Sequence, residues 1–86
     1  MCSMGKITAC MISFIPIQSE SYLSEVNKVL DIIKASDLRH SVGGFATELY
    51  GEAGEICNLI TKIYEEMDNS CSFVLDVRFS NVCGGC

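Results

Sequence analysis

The sequence has few basic residues and a single histidine, and each shortage argues against a class of protein. Six lysines and arginines face eleven acidic residues, so the net charge is −5, which opposes binding to nucleic acid or to an anionic membrane. The one histidine, His40, has no fixed catalytic partner in the sequence, and a Gly-rich phosphate loop, a paired-carboxylate motif and a nucleophile elbow are all missing. We therefore expect no enzyme activity, no catalytic residues, no metal and no cofactor.

Long hydrophobic runs and prolines are also scarce. The most apolar run, Ile7 to Ile17, is far shorter than the about 20 residues that span a bilayer, and no small-residue cleavage site follows it. Six cysteines are present, but a single proline, Pro16, and long periodic apolar segments are unlike a turn-rich disulfide scaffold. We interpret the cysteines as reduced thiols of a cytoplasmic protein, with Cys10 and Cys57 as small core residues.

The 86 residues allow one domain, because separate hydrophobic cores rarely form in pieces shorter than about 50 residues. We expect this domain to cover residues 1–86, with a core of about residues 7–80 and flexible ends. Hydrophobic residues make up 49% of the chain, which is more than so small a core can bury. Some of this apolar surface is expected to lie in an interface or a pocket.

The first half of the chain predicts a strand and then a helix. Ile7 to Ile17 has no helical spacing and is closed by Pro16, which indicates a strand buried on both faces. From Tyr22 to Ile33 apolar residues recur three and four positions apart, which is typical of an amphipathic helix. Ser19 or Ser21 can cap its start.

The second half predicts two strands, a helix and a final strand. Leu38 to Val42 and Phe45 to Gly51 are short strand-like runs joined by Gly43-Gly44, a pair able to take the positive φ angles of a tight hairpin turn. A second amphipathic helix follows and ends at Asn69-Ser70. Ser72 to Ser80 alternates between apolar and polar residues, as a half-buried strand does.

This order of elements predicts an α+β protein with the ferredoxin-like βαββαβ plan. Right-handed crossovers give a four-stranded antiparallel sheet in the order 4-1-3-2 with both helices on one face. The first strand is apolar on both of its faces, so its outer side, which carries either Ile12 or Met11, should pack on another copy of the chain. We expect a homo-dimer or tetramer formed through the sheet face.

Two hydroxyl side chains interrupt apolar strands that are expected to be neighbours. Ser13 falls between Met11 and Ile15, and Thr47 precedes Leu49. One explanation is that the hydroxyls satisfy each other or the backbone. The other is a small pocket with apolar walls for a polar heteroaromatic ligand, for which the candidate binding residues are Ser13, Thr47, Ser41, Glu48, Phe45 and Tyr50.

The stretches Ile12-Ser13-Phe14-Ile15-Pro16-Ile17 and Leu38-Arg39-His40-Ser41-Val42-Gly43-Gly44, followed by Thr47 and Gly51, resemble the YkoF-like thiamine/hydroxymethylpyrimidine-binding family. The similarity covers roughly Thr8 to Arg78. Gly44 stands where that family usually has proline, and Tyr50 where it often has an acidic residue. The resemblance implies a ferredoxin-like protomer associated through its sheet, a ligand that is thiamine or its pyrimidine portion, and no enzymatic activity.

A second function remains open, because the same apolar surplus suits a structural or regulatory module that docks a foreign protein. The terminal thiols are a separate feature: pairing of the first and fourth strands should bring Cys2 near Cys83 and Cys86. We expect these three to be reactive and dispensable for ligand binding. A single Cys-x-x-Cys supplies only two ligands, which do not make a structural zinc site.

Overall fold

The computed structural model describes residues 7–17, 22–44 and 46–81. In chain order its elements are β1 (Thr8–Ile17), α1 (Tyr22–Ala35), β2 (Arg39–Val42), β3 (Thr47–Gly51), α2 (Ala53–Asp68) and β4 (Ser72–Ser80). The strands form one antiparallel sheet in the order β2-β3-β1-β4. The predicted ferredoxin-like α+β fold and its strand order are confirmed. No helix of the described ranges is long and apolar enough to cross a membrane.

Both helices pack on one face of the sheet and form a single core with it. The buried apolar side chains are Cys10, Ile12, Val29, Ile33, Leu49, Ile56, Leu59, Ile63 and Met67. Because side chains alternate along β1, Met11 and Ile15 lie on the opposite, open face, where they are 41% and 45% exposed. Within one chain β1 is therefore buried on its inner face only, and the outward residue of the predicted pair is Met11.

The β2–β3 connection differs from the predicted two-residue turn. β3 begins at Thr47 and residues 43–46 form the connection, in which the Gly43 N–H donates to the carbonyl of Ala46 at 2.9 Å. No described glycine has a positive φ. Gly43 is needed for a different reason, since a Cβ there would lie 3.0 Å from the Ala46 carbonyl oxygen. Close approach of two backbone segments, rather than a left-handed conformation, favours glycine here.

The first turn of α1 reverses the predicted faces. Leu23 belongs to the apolar pattern of Tyr22 to Ile33 but is 73% exposed, whereas the charged Glu25, which lies outside that pattern, is only 6% exposed. Glu25 forms an ion pair with Lys28, with Nζ and Oε1 3.4 Å apart, while its buried Oε2 makes no hydrogen bond of ordinary geometry to a described residue. The Cys71 thiol, and to a smaller extent Lys28, hold the pKa of Glu25 below its usual value, although burial opposes them.

The three described cysteines occupy different environments. Cys10 is buried as predicted and Cys71 is half-buried, but Cys57 is exposed, so its assignment to the core was wrong. Ile56, one position earlier on α2, takes the inward direction instead. Burial raises the pKa of Cys10. Burial, reinforced by hydrogen bonding to Glu25, raises the pKa of Cys71 to about 11. The expected cluster of Cys2, Cys83 and Cys86 lies outside the described residues.

These environments predict the order of alkylation of the native protein at pH 8. Of the three described cysteines, Cys57 should be labelled fastest, because it is exposed. With a pKa of about 11, only about a thousandth of Cys71 is thiolate at that pH, and the thiolate is the nucleophile. Cys10 should react only when the fold opens. Peptide-resolved mass spectrometry can follow the three rates, and labelling of Cys71 should accelerate as the pH rises towards 11. Rapid labelling of Cys10 in the native protein would contradict the described core.

Candidate functional site

A cavity of about 160 Å³ lies on the helix-covered side of the sheet. It is bounded by the second half of β1, by α1 and by the β2–β3 connection. Its wall on α1 is formed by Tyr22, Val26, Val29, Leu30 and Ile33, and its strand side by Ile12, Ser13, Phe14, Val42, Gly43, Gly44, Ala46 and Thr47. Most of these residues are apolar. The few hydroxyl and backbone groups at the surface of the cavity would therefore determine how a polar ligand is oriented.

Thr47 is the polar side chain directed into this cavity. It lies opposite Ile12 of β1 on one side and opposite Val42 of β2 on the other. Directly opposite residues of antiparallel strands point to the same face, so the Thr47 hydroxyl shares the helix-covered face with two apolar neighbours. The side chain is half-buried, which leaves it partly accessible from the cavity.

Ser13 borders the same cavity, but its side chain belongs to the other face. It follows Ile12 in β1 and lies opposite Asp76 of β4, and the alternation of a strand directs it away from the helices. The Ser13 and Thr47 hydroxyls therefore do not satisfy each other. Mutual pairing of the two hydroxyls is excluded, whereas satisfaction of each hydroxyl by the backbone stays open. Of the two, Thr47 alone points its side chain into the cavity.

The rim of the cavity is formed by small loop residues and one aromatic ring. A Cβ added to Gly44 would meet no atom within 4 Å, so the loop leaves this side open. Tyr22, at the start of α1, is 55% exposed and lines the opposite side. Sequence reasoning did not assign these rim residues to the site, although Gly43-Gly44 belongs to the stretch that carries the family resemblance. That stretch was a signal that could have marked the two glycines, whereas Tyr22 lies outside every stretch that carries the resemblance.

Three of the sequence-predicted site residues lie on the open face and do not border this cavity. Ser41 is opposite Glu48, and Tyr50 is opposite Arg39. The Tyr50 hydroxyl donates to Glu48 Oε1, and the Arg39 guanidinium carbon lies 5.2 Å from the centre of the Tyr50 ring. The bond to Glu48 and burial raise the pKa of Tyr50, against a smaller lowering by Arg39.

Glu48 and Tyr50 border a second recess, which is about 380 Å³ in volume and lies at one end of the open face. The structure thus divides the candidate residues between two sides of the sheet. Phe45, the sixth of them, lies outside the described residues. His40 points to the helix-covered face opposite Leu49, and its Nδ1–H donates to the Leu38 carbonyl at 3.0 Å, which fits a structural role.

The described ranges contain no group of three or more His, Cys, Asp or Glu side chains placed to hold a metal ion. The pair formed by the buried Glu25 and the half-buried Cys71 was not anticipated from the sequence. It lies outside both recesses and offers only two metal-ligating side chains.

Comparison with known proteins gives a family and a shared fold. The family model described as thiamine-binding protein matches residues 10–78, a range that includes both helices, β2 and β3 in full, and β1 and β4 except for the first two residues of β1 and the last two of β4. No curated protein matches the sequence.

Solved structures share the fold at low sequence identity. A putative thiamine biosynthesis/salvage protein from Thermotoga maritima has 17% identity and a TM-score of 0.79, with 86% of this chain and 82% of that chain covered. A domain of unknown function from Bacillus cereus has 17% identity and a TM-score of 0.78, covering 93% and 80%. A hypothetical protein from Methanocaldococcus jannascii has 21% identity and a TM-score of 0.78, covering 87% and 79%.

Proposed function

Because the chain belongs to the thiamine-binding protein family, we propose that it binds thiamine through the hydroxymethylpyrimidine ring, in the cavity beside Thr47, without transforming it. The observation that carries this proposal is convergence. Three segments that are distant in sequence meet at one cavity: β1 around Ser13, α1 from Tyr22 to Ile33, and the end of β2 with the start of β3, from Val42 to Thr47. The name of the similar Thermotoga maritima protein, a putative thiamine biosynthesis/salvage protein, is consistent with a role in thiamine supply.

The size and lining of the cavity suit one polar aromatic ring. Its volume of about 160 Å³ is below the about 300–1,000 Å³ typical of pockets for whole drug-sized ligands. The pyrimidine can therefore enter while the thiazolium ring stays at the rim. A thiazolium carries a positive charge, which the net charge of −5 attracts and which the exposed Tyr22 ring can face. Thr47 then accounts for the orientation of the pyrimidine.

The chemistry of the lining supports binding without catalysis. Tyr22 is the only titratable side chain among the cavity-lining residues of the described ranges, so an acid, a base and an activated nucleophile are missing from that set. We propose a non-enzymatic binding protein that needs no cofactor. A cytoplasmic location is part of the proposal and is supported by the free thiols of Cys10, Cys57 and Cys71.

We also propose that the chain forms a homo-oligomer through the open face of its sheet. Met11, Ile15, Ile17 and Val74 are all exposed on this face, and Ile15 lies directly opposite Val74, so the apolar side chains adjoin one another. A contiguous exposed apolar patch on a small protein marks a site of interaction with another molecule. Docking of a foreign protein on the same face is the competing function.

Replacing Thr47 by valine should weaken thiamine and hydroxymethylpyrimidine binding by about tenfold or more. The substitution keeps the shape and removes the hydroxyl, which leaves a polar group of the ligand buried without a partner at a cost of about 1–3 kcal/mol. Isothermal titration calorimetry with each compound measures the effect.

Two controls make this experiment specific. Thr61→Val removes a hydroxyl that bonds the Cys57 carbonyl on the exposed side of α2, and it should leave both affinities unchanged. Glu48→Gln tests the open-face recess. If Glu48→Gln weakens ligand binding and Thr47→Val does not, the ligand binds in that recess instead of the cavity. Absence of binding by the wild-type protein to either compound at millimolar concentration would reject the proposed ligand class.

A further inference from the structure

The recess at one end of the open face is larger than the cavity beside Thr47. Its volume of about 380 Å³ falls within the about 300–1,000 Å³ typical of small-molecule pockets. Ala9 of β1 forms its floor, directly opposite Tyr50 of β3 on one side and Ser80 of β4 on the other. Because alanine carries only a methyl group, the longer side chains of Tyr50 and Met11 beside it leave a depression in the sheet.

Glu48 and Arg78 carry opposite charges on two sides of this depression. Both lie directly opposite Met11, Glu48 on β3 and Arg78 on β4, so their Cα atoms are about 10 Å apart, twice the spacing of neighbouring strands. Both border the recess and are exposed, and neither takes part in an ion pair within residues 7–17, 22–44 and 46–81. The carboxylate and the guanidinium are therefore both available to a ligand that lies between them.

Tyr50 is held as one wall of the recess by contacts on two sides. The Arg39 guanidinium packs against its ring from the β2 side, 5.2 Å from the ring centre, which leaves the β1 side of the ring to the recess. The Tyr50 hydroxyl donates to Glu48 Oε1, and this bond and burial raise the pKa of Tyr50. The hydroxyl is thus a neutral donor, and the negative charge of Glu48 is not cancelled by this partner.

We propose that the recess is a second binding site, for a free α-amino acid with an apolar or aromatic side chain. The α-ammonium group donates to Glu48, the α-carboxylate accepts from the Arg78 guanidinium, and the ligand side chain lies over Ala9 against the Tyr50 ring. Arginine binds a carboxylate through two parallel hydrogen bonds, and an aromatic ligand side chain stacks favourably on tyrosine. Glutamate and arginine are long enough to reach two groups on one carbon atom from Cα atoms about 10 Å apart.

The two charges select a zwitterion over a singly charged ligand. A ligand that carries only a carboxylate is repelled by Glu48, and one that carries only an amine is repelled by Arg78. Asp76 lies two residues from Arg78 on the same face and outside the recess, where it adds to the repulsion of an anion. Thiamine and hydroxymethylpyrimidine have no anionic group to offer Arg78, so this site differs in ligand class from the cavity on the opposite face.

The recess is also separate from the centre of the proposed subunit contact. Ala9 lies six residues before Ile15 on β1, which corresponds to about 20 Å along a strand. Of the apolar patch on the open face, only Met11 borders the recess. A small ligand can therefore enter the recess while Ile15 is covered.

Titrations with L-phenylalanine and two analogues test the proposal. Phenethylamine keeps the ring and the ammonium group but lacks the carboxylate, whereas hydrocinnamate keeps the ring and the carboxylate but lacks the ammonium group. Phenylalanine should bind about fivefold or more tightly than either analogue, because each analogue loses one charge-assisted contact at an exposed site. Backbone amide shifts in NMR spectra of the wild-type protein give the dissociation constants, and they should move at Ala9, Glu48 and Arg78.

Substitutions separate the two ends of the ligand. Arg78→Gln should abolish the preference for phenylalanine over phenethylamine and keep the preference over hydrocinnamate, while Glu48→Gln should do the reverse. Ala9→Leu fills the floor of the recess and should weaken all three compounds. Lys62→Gln is the control, since it removes a positive charge on α2 outside the recess, and it should change none of the affinities.

The proposal is overturned if phenylalanine at about 10 mM moves no amide around the recess, if both analogues bind as tightly as phenylalanine, or if Lys62→Gln weakens binding as much as Arg78→Gln. Thr47→Val and saturating thiamine should each leave the affinity for phenylalanine unchanged. Competition by thiamine would assign the recess to thiamine and overturn the proposal. Because the probes and variants do not involve the cavity beside Thr47, a failure of this site and a failure of thiamine binding are observed separately.

Discussion

Replacing Ile15 by lysine should halve the mass of the assembled particle. Ile15 is central on the open face, with Ser13 and Ile17 two positions away on β1 and Val74 directly opposite on β4. In the proposed face-to-face contact the lysine ammonium would be buried without a partner, at a cost of several kcal/mol in each protomer. Light scattering after gel filtration measures the mass directly.

The fold itself should survive this change, since Ile15 is 45% exposed in the protomer. Leu23→Lys is the matched control: it introduces the same charge at a more exposed apolar residue, but on α1. That variant should keep the wild-type mass. Equal masses for Ile15→Lys and wild type would show that the open face is not the subunit contact. If both variants fall in mass, the added positive charge, rather than its position on the open face, is what dissociates the assembly.

Replacing Ile63 by alanine should lower the free energy of unfolding by about 2–5 kcal/mol, the range for truncating a buried large aliphatic side chain. Ile63 is completely buried on α2 within the single core. For a domain of this size each kcal/mol corresponds to about 4–8 °C, so the midpoint of thermal unfolding should fall by about 8–40 °C. Urea denaturation at fixed protein concentration measures the change free of differences in assembly.

Leu23→Ala is the control for this prediction as well. Leu23 is 73% exposed, so its truncation should change stability by no more than about 0.5 kcal/mol. Leu23 and Ile63 are alike in the sequence pattern, since each continues the apolar periodicity of its helix. A loss of several kcal/mol in Leu23→Ala would mean that another chain covers the start of α1.

The contrast between Leu23 and Ile63 shows where periodicity stops being informative. Spacing of three and four predicts that a helix exists and which of its residues share a stripe. It does not say how far along the helix that stripe meets the sheet. At the first turn of α1 the packing direction buries Glu25 instead of Leu23. This choice depends on neighbours that are distant in sequence.

The hairpin shows a second limit. Gly43-Gly44 correctly marks the end of β2, because glycine interrupts a strand. Turn length is not set by the two glycines alone, however, since β3 begins only where Thr47 finds partners in both β1 and β2. The predicted positive φ angles were wrong for the same reason, as a longer connection has no need of them.

The amino-acid pattern by itself determined the order of elements, the bounds of β4 and the strand order, because alternation, helical spacing and right-handed crossovers are general rules that hold without knowledge of contacts. It also located two hydroxyls on neighbouring strands. Only the tertiary structure decided that Thr47 points into the cavity while Ser13, Ser41, Glu48 and Tyr50 point to the open face. The physical reason is that side chains alternate with a period of two, so a shift of one residue in register moves a side chain to the other face of the sheet, and register is set by pairing between strands rather than within them.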